Sequence, residues 1–157
     1  MVGRINDAMR LRQEVFSETL KLFGEEHSET LIEANNYVCL LIELNRFEEV
    51  KLLLRKPMPL AQRVFEDSHE LTLRMRWAYA TVLYKDDGAT LDDIREAVET
   101  FKDLEPTARH VLGGSHPFTT SFMYSLRKSR AALRTREMPS GSSEVLQTVD
   151  DLAAHFG

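Results

Sequence analysis

The apolar positions of the chain recur at helical spacing, in stretches that short polar junctions separate. Over residues 5–23 the apolar side chains fall along one broad helical face. The stretch SETLIEANNYVCLLIEL repeats this spacing with Leu31, Ala34, Val38 and Leu41, and its second half is apolar almost all round. Such a helix must be covered on more than one side, which predicts a middle layer in a stack of helices.

A junction centred on histidine occurs three times, as GEEHSETL, EDSHELTL and GGSHPFTT. The histidines His27, His69 and His116 are 42 and 47 residues apart, with a large apolar residue four positions before each and a threonine three positions after each. This match predicts an internal repeat. Because Pro117 follows His116 and proline favours the first helical position, we expect each histidine to be an N-cap. The spacing lacks the HxxxH and HExxH patterns of metal sites.

Each repeat unit is predicted to be a pair of helices. The second helix of the first unit starts at FEEVKLLL, and we expect it to stop near Arg55 and restart near Pro59, because Pro57 and Pro59 break the helical hydrogen bonds. The second unit comprises ELTLRMRWAYATVLYK and then TLDDIREAVETFKDL, whose Thr90 and Asp93 predict a capping box. The third unit has a first helix alone, PFTTSFMYSLRKSRAALRTRE.

These patterns predict an all-α protein, a short α-solenoid of antiparallel helix pairs with about seven helices and a C-terminal capping helix. The repeats occupy residues 1–137, as a half unit (4–26), two units (27–68 and 69–115) and a further half unit (116–137). A linker at 138–143 precedes a helix at 144–157, in which Val145, Val149, Leu152 and Phe156 share one face. This helix is predicted either to cap the last repeat or to dock on a partner.

Composition excludes several classes of protein. The 157 residues carry a net charge of −5, which disfavours a dedicated nucleic-acid binder. Cys39 is the single cysteine, so neither an internal disulfide nor a cysteine-based zinc site is expected. No apolar run is long enough for a membrane span, and the first residues lack a secretory signal, which favours the cytoplasm with an organelle left open. Without a phosphate loop or nucleophile elbow, we expect no enzyme activity, cofactor, metal or small-molecule substrate.

The stretch LFGEEHSETLIEANNYVCLLIELNRFEEVKLLL resembles the tetratricopeptide repeats of kinesin light chains and their relatives, and is similar to their algal and protist branch. The shared marks are G-x-x-H-x-x-T-L, the pair Asn35-Asn36 and N-R-F-E-E, and the resemblance covers residues 20–136. It implies a concave groove, lined by the first helices, that holds an extended or helical peptide. Trp77-Ala78 replaces the asparagine pair in the second unit, and the heptad region that joins a motor heavy chain is absent, so no motor-adaptor role is implied.

Carried over position by position, the resemblance implies a partner-binding groove along the three first helices. Its residues are Ile32, Asn35, Cys39 and Ile42, then Arg74, Trp77, Thr81 and Tyr84, then Ser121, Tyr124 and Lys128. An asparagine amide can pair with a peptide backbone, and the aromatic residues offer rigid apolar area with polar tips. Arg74, Lys85, Arg127 and Lys128 would favour an acidic ligand.

Charge is unevenly distributed along the chain. Residues 86–105 carry −6 and residues 117–136 carry +5, which predicts either attraction between neighbouring helices or steering of an acidic partner. The function predicted is a non-enzymatic scaffold that binds a protein or peptide. The alternatives are a structural subunit that uses its convex face or its C-terminal helix, which burial of Trp77 in the core would favour, and RNA binding by a helical repeat.

Overall fold

The computed structural model describes residues 2–138, and this part of the chain forms seven helices and no strand. The helices are α1 (Val2–Phe23), α2 (Ser28–Glu43), α3 (Phe47–Leu54), α4 (Pro57–Phe65), α5 (Glu70–Lys85), α6 (Leu91–Leu112) and α7 (Pro117–Glu137). The predicted helix at 144–157 lies outside the described residues.

The helices form a short α-solenoid, which confirms the predicted fold class. Helices α2, α5 and α7 are the first helices of successive units, and α2 contacts α5 as α5 contacts α7. The second helices are α6 and the pair α3 and α4, and each packs against the first helix of its own unit and against that of the next. Helix α1 packs on α2 in the place of a preceding second helix.

Each of the three junction histidines caps the helix that it precedes, as the sequence predicts. The imidazole Nδ1 accepts a hydrogen bond from the backbone N–H two residues later, over 3.2 Å at His27 and 3.1 Å at His69 and His116. The first two imidazoles also stack on the phenylalanine four residues earlier, with ring centroids 4.5 Å apart. These contacts satisfy an N–H that would otherwise lack a helical partner, so the histidines have a structural role.

The junction threonines bind each first helix to the helix before it. In every junction the threonine hydroxyl donates to the carbonyl eleven residues earlier: Thr30 to Thr19 (3.4 Å), Thr72 to Ala61 (3.3 Å) and Thr119 to Ala108 (3.3 Å). Three residues before each histidine the backbone has a positive φ, at Gly24 (84°), Glu66 (74°) and Gly113 (95°). The repeat therefore preserves the chain reversal even where glycine is absent.

Prolines lie in the second helices of both units, and in the first unit the structure differs from the sequence expectation. The break in the first unit falls where predicted, but the helix resumes at Pro57 and not at Pro59. Both prolines lie in the first turn of α4, where the missing N–H has no helical acceptor to lose and the fixed φ suits the helix. Helix α6 continues through Pro106 to Leu112, past the quoted stretch that stops at Leu104.

Two hydrophobic clusters lie on either side of α5. The first joins α5 to α2, α3 and α4 and includes Leu41, Val50 and Leu54. The second joins α5 to α6 and α7 and includes Phe101 and Phe122. Helix α5 is therefore apolar on both sides. Its predicted groove residues, Arg74, Trp77, Thr81 and Tyr84, lie between the two clusters.

Candidate functional site

An open pocket of about 340 Å³ lies between α5 and α7, and five of the eleven predicted groove residues line it. These five are Trp77, Thr81, Tyr84, Ser121 and Tyr124. They meet because α5 and α7 are equivalent helices of adjacent units and present equivalent positions to the same side. The remaining wall is Lys85, Thr120 and Ser125.

Trp77 has a double role, as a packing residue and as part of the pocket wall. Its half-buried indole packs against both hydrophobic clusters. The indole and the Phe118 ring form an edge-to-face pair with ring centroids 5.6 Å apart. The indole Nε1–H donates to Ser125 Oγ at 3.0 Å. Because this donor already has a partner, Trp77 offers a ligand apolar surface without a free hydrogen bond.

Two polar groove residues are more buried than an open groove would require. Thr81 is 1% exposed and Asn35 is 5% exposed. Neither Thr81 Oγ1 nor Asn35 Oδ1 has a hydrogen-bond partner within the described part of the chain. A buried polar atom without a partner costs about 1–3 kcal/mol. Both oxygen atoms are closed to solvent, so a ligand would reach either of them only after neighbouring side chains move. Thr81 is the more informative of the two because it lines the pocket.

The pocket has a positive rim. Lys85 of the pocket wall and Lys128 beside Tyr124 are exposed, and neither forms an ion pair with a carboxylate among residues 2–138. The Lys128 ammonium lies 5.4 Å from the centre of the Tyr124 ring, which is 50% exposed. This arrangement favours a ligand that carries negative charge beside apolar groups.

Arg74 has a more structural position than the resemblance implied. Its guanidinium lies 3.9 Å from the centre of the Phe118 ring and donates to Glu70 through Nε at 3.1 Å. That hydrogen bond holds the pKa of Glu70 below its ordinary value. Arg74 is thus already engaged by both an aromatic face and a carboxylate.

The four groove residues of α2 lie outside this pocket. Ile32 is exposed, Cys39 and Ile42 are half-buried, and Asn35 is buried. Burial raises the pKa of the Cys39 thiol, although the nearby charge of Arg74 opposes the rise. The thiol is therefore protonated at neutral pH, which is unfavourable for a nucleophile or a metal ligand.

The outer face of α7, on the side away from α5, was not predicted as a site. It borders an open pocket of about 620 Å³, lined by Glu105, Thr120, Met123, Tyr124, Leu126, Arg127, Arg130 and Arg134. Tyr124 and Thr120 belong to both pockets. The sequence does show a run of basic residues in α7, but a run alone does not indicate on which side of the helix those residues lie.

The opposite charges of α6 and α7 were expected to attract each other across the packed helices. Within residues 2–138, no α7 cation pairs with an α6 carboxylate. The ion pair that joins these helices has the opposite arrangement of charge, with the cation, Arg95, on α6 and the carboxylate, Glu137, on α7 at 3.1 Å. Arg136 donates instead to the carbonyl of Ala89 at 2.9 Å. Most of the positive charge of α7 therefore remains on its surface.

The described part of the chain offers neither a metal site nor a membrane-spanning helix. Residues 2–138 contain no group of three or more histidine, cysteine, aspartate or glutamate side chains that could hold a metal ion. None of the seven helices combines the length and the apolar character needed to cross a membrane.

No protein-family profile, curated protein or solved structure matches this chain.

Proposed function

We propose that the protein is an interaction module of the tetratricopeptide type, which binds an acidic peptide segment of a partner protein along α2, α5 and α7. The observation that carries this proposal is the pocket between α5 and α7. There, aromatic side chains and Thr81, whose hydroxyl has no partner within residues 2–138, form the wall, and Lys85 and Lys128 place positive charge beside it. The 42-residue spacing and the capped junctions also support it, since they build the face on which such repeats bind peptides.

The chemistry of the pocket indicates how a peptide would bind. The rings of Trp77, Tyr84 and Tyr124 supply apolar area with little conformational freedom to lose. The Thr81 hydroxyl would pair with a peptide amide or carbonyl. Lys85 and Lys128 would attract a peptide carboxylate. Cys39 adds no reactive group, because its thiol is protonated at neutral pH.

The test is selection of peptides from a random displayed library on the full chain, followed by affinity measurements on variants. Tyr124→Ala should weaken the selected peptides by about tenfold or more, as expected for an aromatic residue at the centre of an interface. Leu52→Ala is the matched control, since Leu52 is an exposed apolar residue of α3 outside the pocket, and it should leave affinity unchanged. Failure to enrich any acidic sequence, or equal loss in both variants, would overturn the proposal.

A pair of threonine variants separates binding from folding. Thr72 and Thr81 are both buried in α5, but the hydroxyl of Thr72 donates to the Ala61 carbonyl, whereas that of Thr81 has no partner within residues 2–138. We expect Thr72→Val to lower the free energy of unfolding by about 1 kcal/mol and to leave peptide affinity intact. Thr81→Val should be neutral or stabilising and should weaken the peptide. The reverse pattern would show that Thr81 has no role in recognition.

A second candidate function is that of a structural subunit in a larger assembly. It is favoured by α1, which leaves Ile5, Leu11, Val15 and Leu22 exposed and is buried only at Met9. Exposed apolar side chains on one helix favour association. Light scattering of the wild type and of Leu11→Glu distinguishes this function, because loss of a defined oligomer in the variant would assign the contacts to α1.

A further inference from the structure

The outer face of α7 differs from the corresponding faces of α2 and α5. In α5, the positions that face α6 are Leu73, Arg76, Ala80 and Leu83, and Arg76 pairs with Asp103 of α6 at 3.8 Å. In α2 the same positions are Leu31, Ala34, Val38 and Leu41, all buried. In α7 they become Thr120, Met123, Arg127 and Arg130, and all four are exposed.

The inner face of α7 follows the repeat pattern. Phe122, Ser125 and Ser129 are buried against the second unit, as Met75, Ala78 and Val82 of α5 are buried against the first unit. The exchange of apolar for basic residues is thus confined to the side on which a second helix would pack. A face of this kind does not suit an ordinary apolar second helix, but it does suit one that is acidic.

The cations of this face lack partners in the described part of the chain. Arg127, Arg130 and Arg134 form no ion pair with a carboxylate of residues 2–138. The acidic residue beside them, Glu105, is already paired with Arg109. Met123, which is 43% exposed, and Leu126 supply an apolar strip among the arginines.

The segment that follows α7 has the complementary chemistry. Residues 144–157 carry Glu144, Asp150 and Asp151 and no lysine or arginine. Their apolar positions recur at helical spacing, and a helix of that length would extend about 21 Å, which is also the rise along α7 between Thr120 and Arg134. The six residues 138–143 before it are one more than the five that join α5 to α6, residues 86–90.

We propose that residues 144–157 of the same chain dock antiparallel on the outer face of α7, in the place of a second helix for the third unit. Val149, Leu152 and Phe156 would contact the strip of Met123 and Leu126. Asp150 and Asp151 would lie among the arginines. The proposal does not depend on the peptide-binding function, since it concerns the opposite side of α7.

Cysteine cross-linking in the full chain tests this contact. In a Cys39→Ser background, which removes the single native thiol, Met123→Cys is combined with Leu152→Cys and oxidised under mild conditions. A disulfide forms when the two Cα atoms come within about 7 Å, so docking predicts a cross-linked monomer. The matched control joins Leu152→Cys to Leu22→Cys, an exposed position on α1 at the other end of the solenoid, and should give no cross-linked monomer.

Charge reversal then tests the recognition. Arg127→Glu with Arg130→Glu should reduce the Met123–Leu152 cross-link about fivefold, as should Asp150→Lys with Asp151→Lys, and the four changes together should restore it. Restoration supports the proposal and shows that each pair of variants still folds. The proposal is overturned if no Met123–Leu152 cross-link forms, or if the Leu22–Leu152 control cross-links equally well. It is also overturned if the disulfide joins two chains, because a second copy would then supply the segment.

Discussion

Helices α5 and α7 begin in the same way, with an N-capping histidine and a threonine that donates to the carbonyl eleven residues earlier. Their outer faces, however, carry different side chains. Helix α5 has a neighbour on each side and is apolar toward both, with Leu83 only 4% exposed. Helix α7 keeps the apolar side toward the second unit and presents Arg130 at the position of Leu83. The junction therefore specifies where a unit begins, whereas the outer face specifies what packs on it.

This difference explains why the repeat is easy to recognise at its junctions and hard to recognise elsewhere. Capping and the threonine bond involve one or two side chains and the backbone, so they require the same residue types in every unit. The outer faces depend on the neighbour that each helix meets, and their residues vary with it.

The comparison is sharpest at the matched positions Leu83 and Arg130. Leu83→Ala leaves a cavity in the cluster around Phe101 and should lower the free energy of unfolding by about 2–4 kcal/mol. Arg130→Ala removes an exposed side chain and should cost less than about 1 kcal/mol. Urea denaturation followed by helical circular dichroism measures both. If the two substitutions lowered the free energy of unfolding by similar amounts, Arg130 would be as tightly packed as Leu83, and the two outer faces would not differ as described.

The turns that lead into α5 and α7 give the second prediction. Glu66 and Gly113 occupy equivalent places with positive φ, a region that costs a residue with a Cβ about 1–3 kcal/mol. Glu66→Gly should raise the free energy of unfolding by about 0.5–1 kcal/mol, because relief of this strain exceeds the added freedom of the unfolded chain.

Gly113→Ala should lower the free energy of unfolding by about 1 kcal/mol, and the cause is the backbone conformation, because no atom lies within 4 Å of the added Cβ. Thermal unfolding of the two variants and the wild type measures both changes. If both substitutions shift the melting temperature in the same direction, the two turns are not equivalent.

The smallest effect concerns the end of α5, which an ion pair ties to the first unit. Lys51 of α3 donates to Asp86 at 2.9 Å, and this hydrogen bond, together with one from the Gly88 N–H, holds the pKa of Asp86 below its ordinary value. A carboxyl whose pKa is lowered by folding contributes stability at neutral pH and loses it as the pH falls through the lowered value. The contribution expected is about 0.5–1 kcal/mol.

Lys51→Met should therefore lower the free energy of unfolding at neutral pH and reduce its further loss in acid. Lys85→Met is the control, because Lys85 is exposed and forms no ion pair within residues 2–138, so its acid response should equal that of the wild type. Urea titrations at several pH values make the comparison. An unchanged acid response in Lys51→Met would show that the pair does not link the two units.

Local signals predicted the fold well. The capping residues His69 and Thr90, the start of α7 at Pro117 and the interruption before Pro57 all follow from the sequence, because each depends on a few neighbouring residues. The point of restart was misplaced by two residues, since either proline is tolerated in the first turn of a helix.

The candidate site was predicted only in part. Repeat positions placed Trp77 and Tyr124 on one side, and the structure brings them to one pocket. Periodicity could not show that the Trp77 indole donates a hydrogen bond to Ser125, which is far along the chain, or that the buried Thr81 hydroxyl lacks a partner within residues 2–138. Both facts depend on the distance and rotation between neighbouring helices.

By itself, the sequence determined the repeat, its capped junctions and the all-helical solenoid, because these follow from short-range hydrogen bonding and from the spacing of apolar residues. The tertiary structure alone decided which side of each helix meets a neighbour. It placed the aromatic residues of α5 and α7 around one pocket and the arginines of α7 on the opposite face, where no other part of residues 2–138 buries them. Such placement results from how whole helices pack, and a single stretch of sequence does not specify the surface that another stretch will cover.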